Sequence, residues 1–188
     1  MLRTAILGLL SGGFILFCLA SSVPLYQVAP IPQNVPSETG QTASRDGLEV
    51  TATAVTEDDQ SFARFDANLP LAGVVVVDVK LANRSPQAIK SLKFALQDAT
   101  GRKFSSLEPK AALKWMMKFE GVRMYPIEGK QQTLEQLQAI ALPKKMALAA
   151  QEEKHGVLFF HVRQDAASIK ALTLRVEAGK QTLTLSLR

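Results

Sequence analysis

The chain has 188 residues, of which 47% are hydrophobic and 21% charged, the balance of an ordinary globular protein. Its net charge of +5 comes from 22 basic and 17 acidic residues. The basic residues are scattered along the sequence, which argues against the clustered basic face of a nucleic-acid-binding protein. Since the one cysteine is Cys18, the remaining chain excludes a disulfide framework, a zinc finger and a thiol nucleophile.

Residues 1–22 combine Arg3 with an apolar stretch and small residues at its end, a pattern typical of a secretory signal peptide. Cleavage after Ser22 is the simplest outcome, since small residues stand at 20 and 22. Two alternatives stay open. Cys18 is a candidate lipidation site, because the residues before it resemble a bacterial lipobox except for the bulky Phe17. The segment also approaches the roughly 20 apolar residues of a membrane anchor. Each outcome predicts an exported bacterial protein, either periplasmic or membrane-anchored and facing the periplasm.

Residues 23–47 carry four prolines with polar and small residues between them. Prolines at this density disfavour a regular strand ladder and favour an extended spacer. The sequence therefore predicts a Pro-rich linker over 23–47 and a folded domain over 48–188.

The first half of the domain has the alternation of β-strands. Residues 48–56 alternate apolar and polar side chains, residues 61–65 are read as a short return strand, and residues 89–97 alternate again. The strand at 73–83 contains four consecutive valines, Val74 to Val77. Because neighbouring side chains of a strand point to opposite faces, this run must be covered on both sides.

The middle of the domain changes to helical periodicity. Residues 109–119 place Ala112, Trp115, Met116 and Phe119 on one helical stripe. Residues 133–136 have the form of a capping box at the start of a second helix, with Thr133 as the cap, and residues 144–154 suggest a further helical stretch. We therefore predict a helical insertion at about 109–154.

Strands return at the end of the chain. Residues 156–162 are apolar on both faces, which predicts a second central strand, and two alternating runs joined by Gly179 predict a hairpin. About seven strands without a βαβ rhythm predict a mainly β protein, an antiparallel β-sandwich with the helices inserted between two strands.

The valine-rich strand, the Asn83-Arg84-Ser85 turn, the segment 92–101 and the run that begins at Gly156 are similar to small immunoglobulin-like domains of bacterial envelope proteins and lipoproteins. This resemblance implies an immunoglobulin-like sandwich and a binding or structural role. It implies no catalytic residue.

Residue types that carry chemistry are sparse. His155 and His161 share a strand face but stand about 20 Å apart at a rise of about 3.3 Å per residue, so they cannot share a metal ion. Met116, Met117 and Met124 would be soft ligands for copper(I), but the first two lie in the apolar stripe and are read as core. We expect no enzyme, no cofactor and no metal site.

The candidate functional feature is a surface on the insertion: Trp115, Arg123, Met124, Tyr125 and Ile127. Aromatic, Met and Arg side chains are enriched at protein interfaces; the alternative is that these residues only cap one end of the sandwich. The hypothesis is a non-enzymatic envelope protein that acts by protein–protein contact with an unknown partner, without nucleic acid, and with membrane contact only through its N-terminal segment. The alternative function is a periplasmic carrier of an apolar ligand or metal between helices and sheet.

Overall fold

The computed structural model describes residues 23–31, 40–124, 126–163, 166–169 and 171–187. The predicted signal or anchor segment with Cys18, and Tyr125 of the predicted surface, lie outside the described residues. The helices are α1 (Asp58–Phe65), α2 (Pro109–Phe119) and α3 (Ile127–Ile140). The strands are β1 (Gln41–Arg45), β2 (Leu48–Val55), β3 (Val74–Asn83), β4 (Ile89–Asp98), β5 (Lys103–Leu107), β6 (Lys145–Leu148), β7 (Glu153–His161), β8 (Leu172–Ala178) and β9 (Gln181–Ser186).

The strands form one antiparallel sheet that is nearly closed into a barrel. Its order is β1-β2-β3-β7-β5-β4-β8-β9, and β6 pairs with β4 beside β5. The end strands β1 and β9 lie in contact, and the side-chain amide of Gln181 donates a hydrogen bond to Asp46 across this seam. The predicted mainly β, antiparallel architecture is confirmed.

The valine run of β3 is covered on both faces, as the sequence requires. Val75 and Val77 are buried in the core inside the sheet, while Val74 and Val76 are buried against the helices outside it. The predicted second central strand, β7, lies directly beside β3, with Val77 opposite Leu158.

The outer layer is built by the apolar stripes of α2 and α3 against β3 and β7. Leu113 and Met116 of α2, Leu137 of α3 and Phe159 of β7 are each at most 1% exposed. Helix α2 begins at Pro109, as predicted, because a proline in the first turn needs no intrahelical N–H partner. In the described part of the chain no helix is both long and apolar enough to cross a membrane.

Two of the predicted local structures are wrong. Residues 61–65 belong to helix α1, which starts with Asp58 and Asp59 next to its positive N-terminal end and stops at Asp66 in the left-handed region at φ 51°. Residues 144–154 are not helical. Lys, Met, Ala and Leu are strong helix formers, but pairing with β4 turns Met146 and Leu148 inward and makes 145–148 strand β6. The helical insertion is therefore shorter than 109–154 and ends at Ile140.

Two further features depart from the sequence expectation. Strand β5, which the sequence pattern did not predict, pairs with both β4 and β7. Helix α3 begins at Ile127, so Thr133 lies inside the helix and does not cap it. The Thr133 hydroxyl donates to the carbonyl of Gly129 at 3.1 Å, one turn back, and accepts the backbone N–H of Tyr26 at 2.9 Å.

The Pro-rich span is packed where the structure describes it. Residues 23–31 lie along α3 and α1, with Tyr26 only 3% exposed and backbone bonds from Leu25 to Gly129 and from Ala29 to Arg64. Residues 41–45 form β1. Proline prevents a paired ladder but permits an extended chain, and the apolar residues between the prolines hold this chain on the helices.

Candidate functional site

The segment from the end of α2 to the first residue of α3 presents apolar side chains to solvent. Met124 is 92% exposed and Ile127 82% exposed, Phe119 at the end of α2 is 47% exposed, and Arg123 is exposed between them. The loop leaves the helix at Gly121, whose φ of 68° lies in the left-handed region that glycine adopts without strain. Three described residues of the predicted surface, Arg123, Met124 and Ile127, therefore lie on one exposed segment.

Trp115, the remaining described residue of that surface, is half-buried and contacts a different element. Its indole is stacked on the imidazole of His161 from β7, with ring centroids 3.7 Å apart and planes inclined by 13°. The Nζ atom of Lys118 lies 4.6 Å from the Trp115 ring centroid, within the range of a cation–π interaction. Trp115 thus ties α2 to the end of β7.

Beside this stack lies a groove of about 440 Å³, which we call the β5–β7 groove. Its walls are Trp115 and His161 on one side and the first half of β5 on the other; Arg102, Lys103 and Arg163 bring cationic groups to it. Sequence reasoning missed the groove because its residues come from three separate stretches. The visible signal was the pair of basic residues directly before Phe104 and the basic residue two positions after His161.

The charges around the groove favour the binding of a negatively charged group. Burial lowers the pKa of His161 below its ordinary value, and the nearby charges of Arg163 and Lys118 lower it further. Among the described residues, the carboxylate that pairs with a lining residue is that of Asp98, which accepts from Nε of Arg102 at 3.1 Å. A hydrogen bond from the Thr100 hydroxyl holds the pKa of Asp98 below its usual range, so this carboxylate stays ionised.

A second polar cluster lies on the outer face of the sheet. The guanidinium of Arg64 in α1 makes a two-pronged ion pair with Asp78 of β3, and both side chains are largely buried. His155 of β7 stands diagonally across from Asp78, and burial lowers its pKa. Among the described side chains, Nε of Arg64 and Nε2 of His155 are buried without a hydrogen-bond partner. This cluster joins α1 to the sheet, and Thr53 of β2 lies opposite Asp78 in the register.

The histidines and methionines that were considered and rejected as metal ligands lie apart in the structure. His155 and His161 stand at opposite ends of β7. Met116 and Met117 are buried in the helical layer, whereas Met124 is in solvent. Within the described ranges no group of three or more histidine, cysteine and acidic side chains is arranged to hold a metal ion.

Asn83 stabilises the Asn83-Arg84-Ser85 turn at the end of β3. Its side chain is fully buried, and its amide nitrogen donates to the carbonyls of Gln87 at 2.7 Å and Ala149 at 2.8 Å. This side chain holds the end of β3 to two neighbouring loops, so its role in the fold is structural.

Fold and surface together define a mainly β protein with a nearly closed antiparallel sheet, a helical layer on one face and a basic groove at one sheet opening. No family model and no curated protein matches the chain. Among solved structures it is similar to a conserved hypothetical protein from Bacillus anthracis, at 12% identity and a TM-score of 0.39, over 78% of this chain and 92% of that one. It is also similar to a DUF4426 family protein from Pseudomonas aeruginosa PAO1, at 14% identity and a TM-score of 0.30, over 80% and 92% of the two chains. At these TM-scores neither likeness bears on function.

Proposed function

We propose that the protein is a non-enzymatic, exported binding module of the bacterial cell envelope that acts by protein–protein contact. The observation that carries the proposal is the exposed apolar segment between α2 and α3: Met124 and Ile127 are 92% and 82% exposed beside Arg123. Burial of one such side chain contributes about 1.5–3 kcal/mol, which this segment does not gain in the isolated chain. Methionine, arginine and aromatic residues are the types enriched where proteins meet.

Location in the envelope is part of the proposal and rests on the leader pattern of residues 1–22. Its three fates, cleavage after Ser22, lipidation of Cys18 and retention as an anchor, all place the β domain outside the cytoplasm. Membrane contact is then confined to the N-terminal segment.

The finer description of the fold as an immunoglobulin-like sandwich also belongs to the proposal. It is supported by β2, β3 and β7 facing β4, β8 and β9 across one shared apolar core. The link through β5, which pairs with both β4 and β7, is the feature that a simple two-sheet sandwich lacks.

The alternative of a carrier between helices and sheet gains no support from the packing. Leu113, Met116, Leu137 and Phe159 fill the space between these layers and are at most 1% exposed. Interiors packed in this way have few voids larger than a water molecule.

A pull-down from the membrane fraction tests the contact surface. The bait is the full chain, compared with a Met124→Ser, Ile127→Ser double variant and with Leu71→Ser, a matched control at another exposed apolar position that is 47% exposed. We expect the double variant to lose a partner that the wild type and the Leu71 variant retain. Equal retention by all three baits would refute the proposal.

A further inference from the structure

Strands β5 and β7 are paired at the C-terminal end of β5 and separate toward its N-terminal end. The two strands share two residue pairs, Ser106 with Phe160 and Leu107 with Phe159. Strand β7 ends at His161, one residue beyond the last of these pairs, and Arg163 adopts the left-handed region with a φ of 62°. Residues 103–105 therefore face the β5–β7 groove, and no strand of the described residues pairs with them on that side.

Backbone groups of β5 point into this opening. The bond from Asp98 N–H to the Arg102 carbonyl makes that pair a hydrogen-bonded one, and in an antiparallel ladder such pairs alternate with non-bonded ones. Lys103 and Ser105 occupy the non-bonded positions opposite β4. Their N–H and C=O groups thus point away from β4, toward the groove.

The end of β7 contributes in the same way. Val162 donates its N–H to the carbonyl of Gly73 at 2.8 Å, on the β3 side. By the same alternation the N–H and C=O groups of His161, the last residue of β7, point to the β5 side. The groove is therefore a short strand position that no described residue fills, with backbone donors and acceptors on both walls.

Charge at this position has one sign among the described lining residues. Lys103 and Arg163 stand on opposite walls, Arg102 lies at one end and is partly neutralised by Asp98, and Lys118 is held over Trp115 next to the groove. The lowered pKa of His161, to which Arg163 and Lys118 contribute, agrees with a positive potential at this wall. A volume of about 440 Å³ lies within the range of about 300–1,000 Å³ typical of ligand sites.

We propose that the β5–β7 groove binds an extended, acidic segment of a partner protein. The segment adds its backbone to the open edge at Lys103 and Ser105, and its carboxylates pair with Lys103 and Arg163. Strand addition of this kind takes affinity from main-chain hydrogen bonds and specificity from alternate side chains. This inference rests on the proposed function in that it takes protein contact as the mode of action, but it concerns a separate surface and names the chemistry of the partner.

The single tryptophan makes the groove directly observable, since Trp115 is the one tryptophan in the chain and lines it. The full-length protein in detergent is titrated with the peptide acetyl-Val-Glu-Val-Glu-Val-amide while Trp115 fluorescence is followed. The matched probe replaces both glutamates with glutamine. We expect a saturable change with the Glu peptide, binding about fourfold to twenty-five-fold weaker with the Gln peptide, since two exposed ion pairs are lost, and affinity that falls as salt rises.

Variants separate the two kinds of contact. Lys103→Gln and Arg163→Gln should each weaken binding by about twofold to fivefold, as expected for exposed ion pairs, whereas Lys145→Gln, an exposed charge on β6, should not. Ser105→Pro removes a backbone donor and should weaken binding, while Ser105→Ala keeps it. If the proline variant does not fold, the charge variants still decide the matter.

Several results would overturn the inference: equal binding of the Glu and Gln peptides, an equal loss in the Lys145 variant, or no fluorescence change up to millimolar peptide. Displacement of the peptide by an equal concentration of inorganic phosphate would also overturn it, since the site would then take small anions. Failure here is distinct from failure of the proposed function. If the peptide does not bind the groove, the proposed function is still supported when the Met124 and Ile127 double variant loses its partner. If that variant retains its partner, the groove proposal is still supported when the peptide binds.

Discussion

The double-sided burial of β3 makes a sharp prediction about two neighbouring valines. Val77 is 0% exposed in the core inside the sheet, and Val76 is 1% exposed under the helices outside it. Truncation of either to alanine removes two methyl groups. At about 0.8 kcal/mol per buried carbon group, with a further term for the cavity left behind, each variant should lose about 2–3 kcal/mol of unfolding free energy. The two losses should agree within about 1 kcal/mol.

Urea denaturation measures this free energy, with far-UV circular dichroism reporting the sheet and Trp115 fluorescence reporting the helical layer. The control is Lys90→Ala, an exposed position on β4, which should stay within about 0.5 kcal/mol of the wild type. A loss below about 0.5 kcal/mol for Val76→Ala beside a full loss for Val77→Ala would refute the reasoning. It would mean that the helices do not cover the outer face of β3 in solution.

Three further predictions concern the outer layer. Arg64→Met should destabilise the protein by about 3–5 kcal/mol because it leaves the carboxylate of Asp78 buried and unpaired, and the double variant Arg64→Met, Asp78→Leu should recover most of the loss in urea midpoints. Burial lowers the pKa of both His155 and His161 from the ordinary 6.5. As the pH falls, these histidines are therefore protonated at a higher pH in the unfolded chain than in the folded one. Stability should then fall as the pH drops below about 6.5, and a variant with glutamine at both positions should lose this dependence. Gly129→Ala would place a Cβ 2.7 Å from a carbonyl oxygen of the segment 23–31; we expect a cost of about 1–3 kcal/mol and faster amide exchange in that segment.

Each of these has an outcome that contradicts it. A double variant at the Arg64–Asp78 pair no more stable than the single one would show that the cost comes from packing alone. The carboxylates with lowered pKa values, such as Glu153, lose their contribution only at lower pH, so an unchanged midpoint between about pH 7.5 and 5.5 counts against the histidines. Unaltered exchange in the Gly129 variant would show that residues 23–31 are not held on α3.

The strands that the sequence predicted are those with a clear pattern of apolar and polar side chains within consecutive residues. The hairpin of β8 and β9 shows strict alternation around Gly179, and its register, with Val176 opposite Leu183, follows from that turn. The valine run indicated a central strand because apolar side chains on both faces need two covers. In these cases the order of apolar and polar residues along the strand predicts whether one face or both faces are buried.

Other elements were decided by partners distant in the chain. Residues 145–148 have the composition of a helix and become β6 because β4 offers a place where Met146 and Leu148 point inward. Thr133 resembles a cap, yet the docking of Tyr26 on its hydroxyl places it inside α3. Helix α1 spans only eight residues, too few for a helical period to stand out from a strand.

The residues of the predicted surface also fall into two groups, those placed by neighbouring residues and those placed by contacts distant in the chain. Composition alone marked Arg123, Met124 and Ile127 as interface types, and the structure leaves them in solvent. Trp115 was predicted from the same composition, but its position depends on stacking against His161. The spacing of residues along the chain does not predict that contact. The sequence by itself determined where the apolar faces and the exposed loop lie, because each is a property of neighbouring residues. Only the tertiary structure decided where the β5–β7 ladder opens, because that depends on two strands meeting for two residue pairs and then parting.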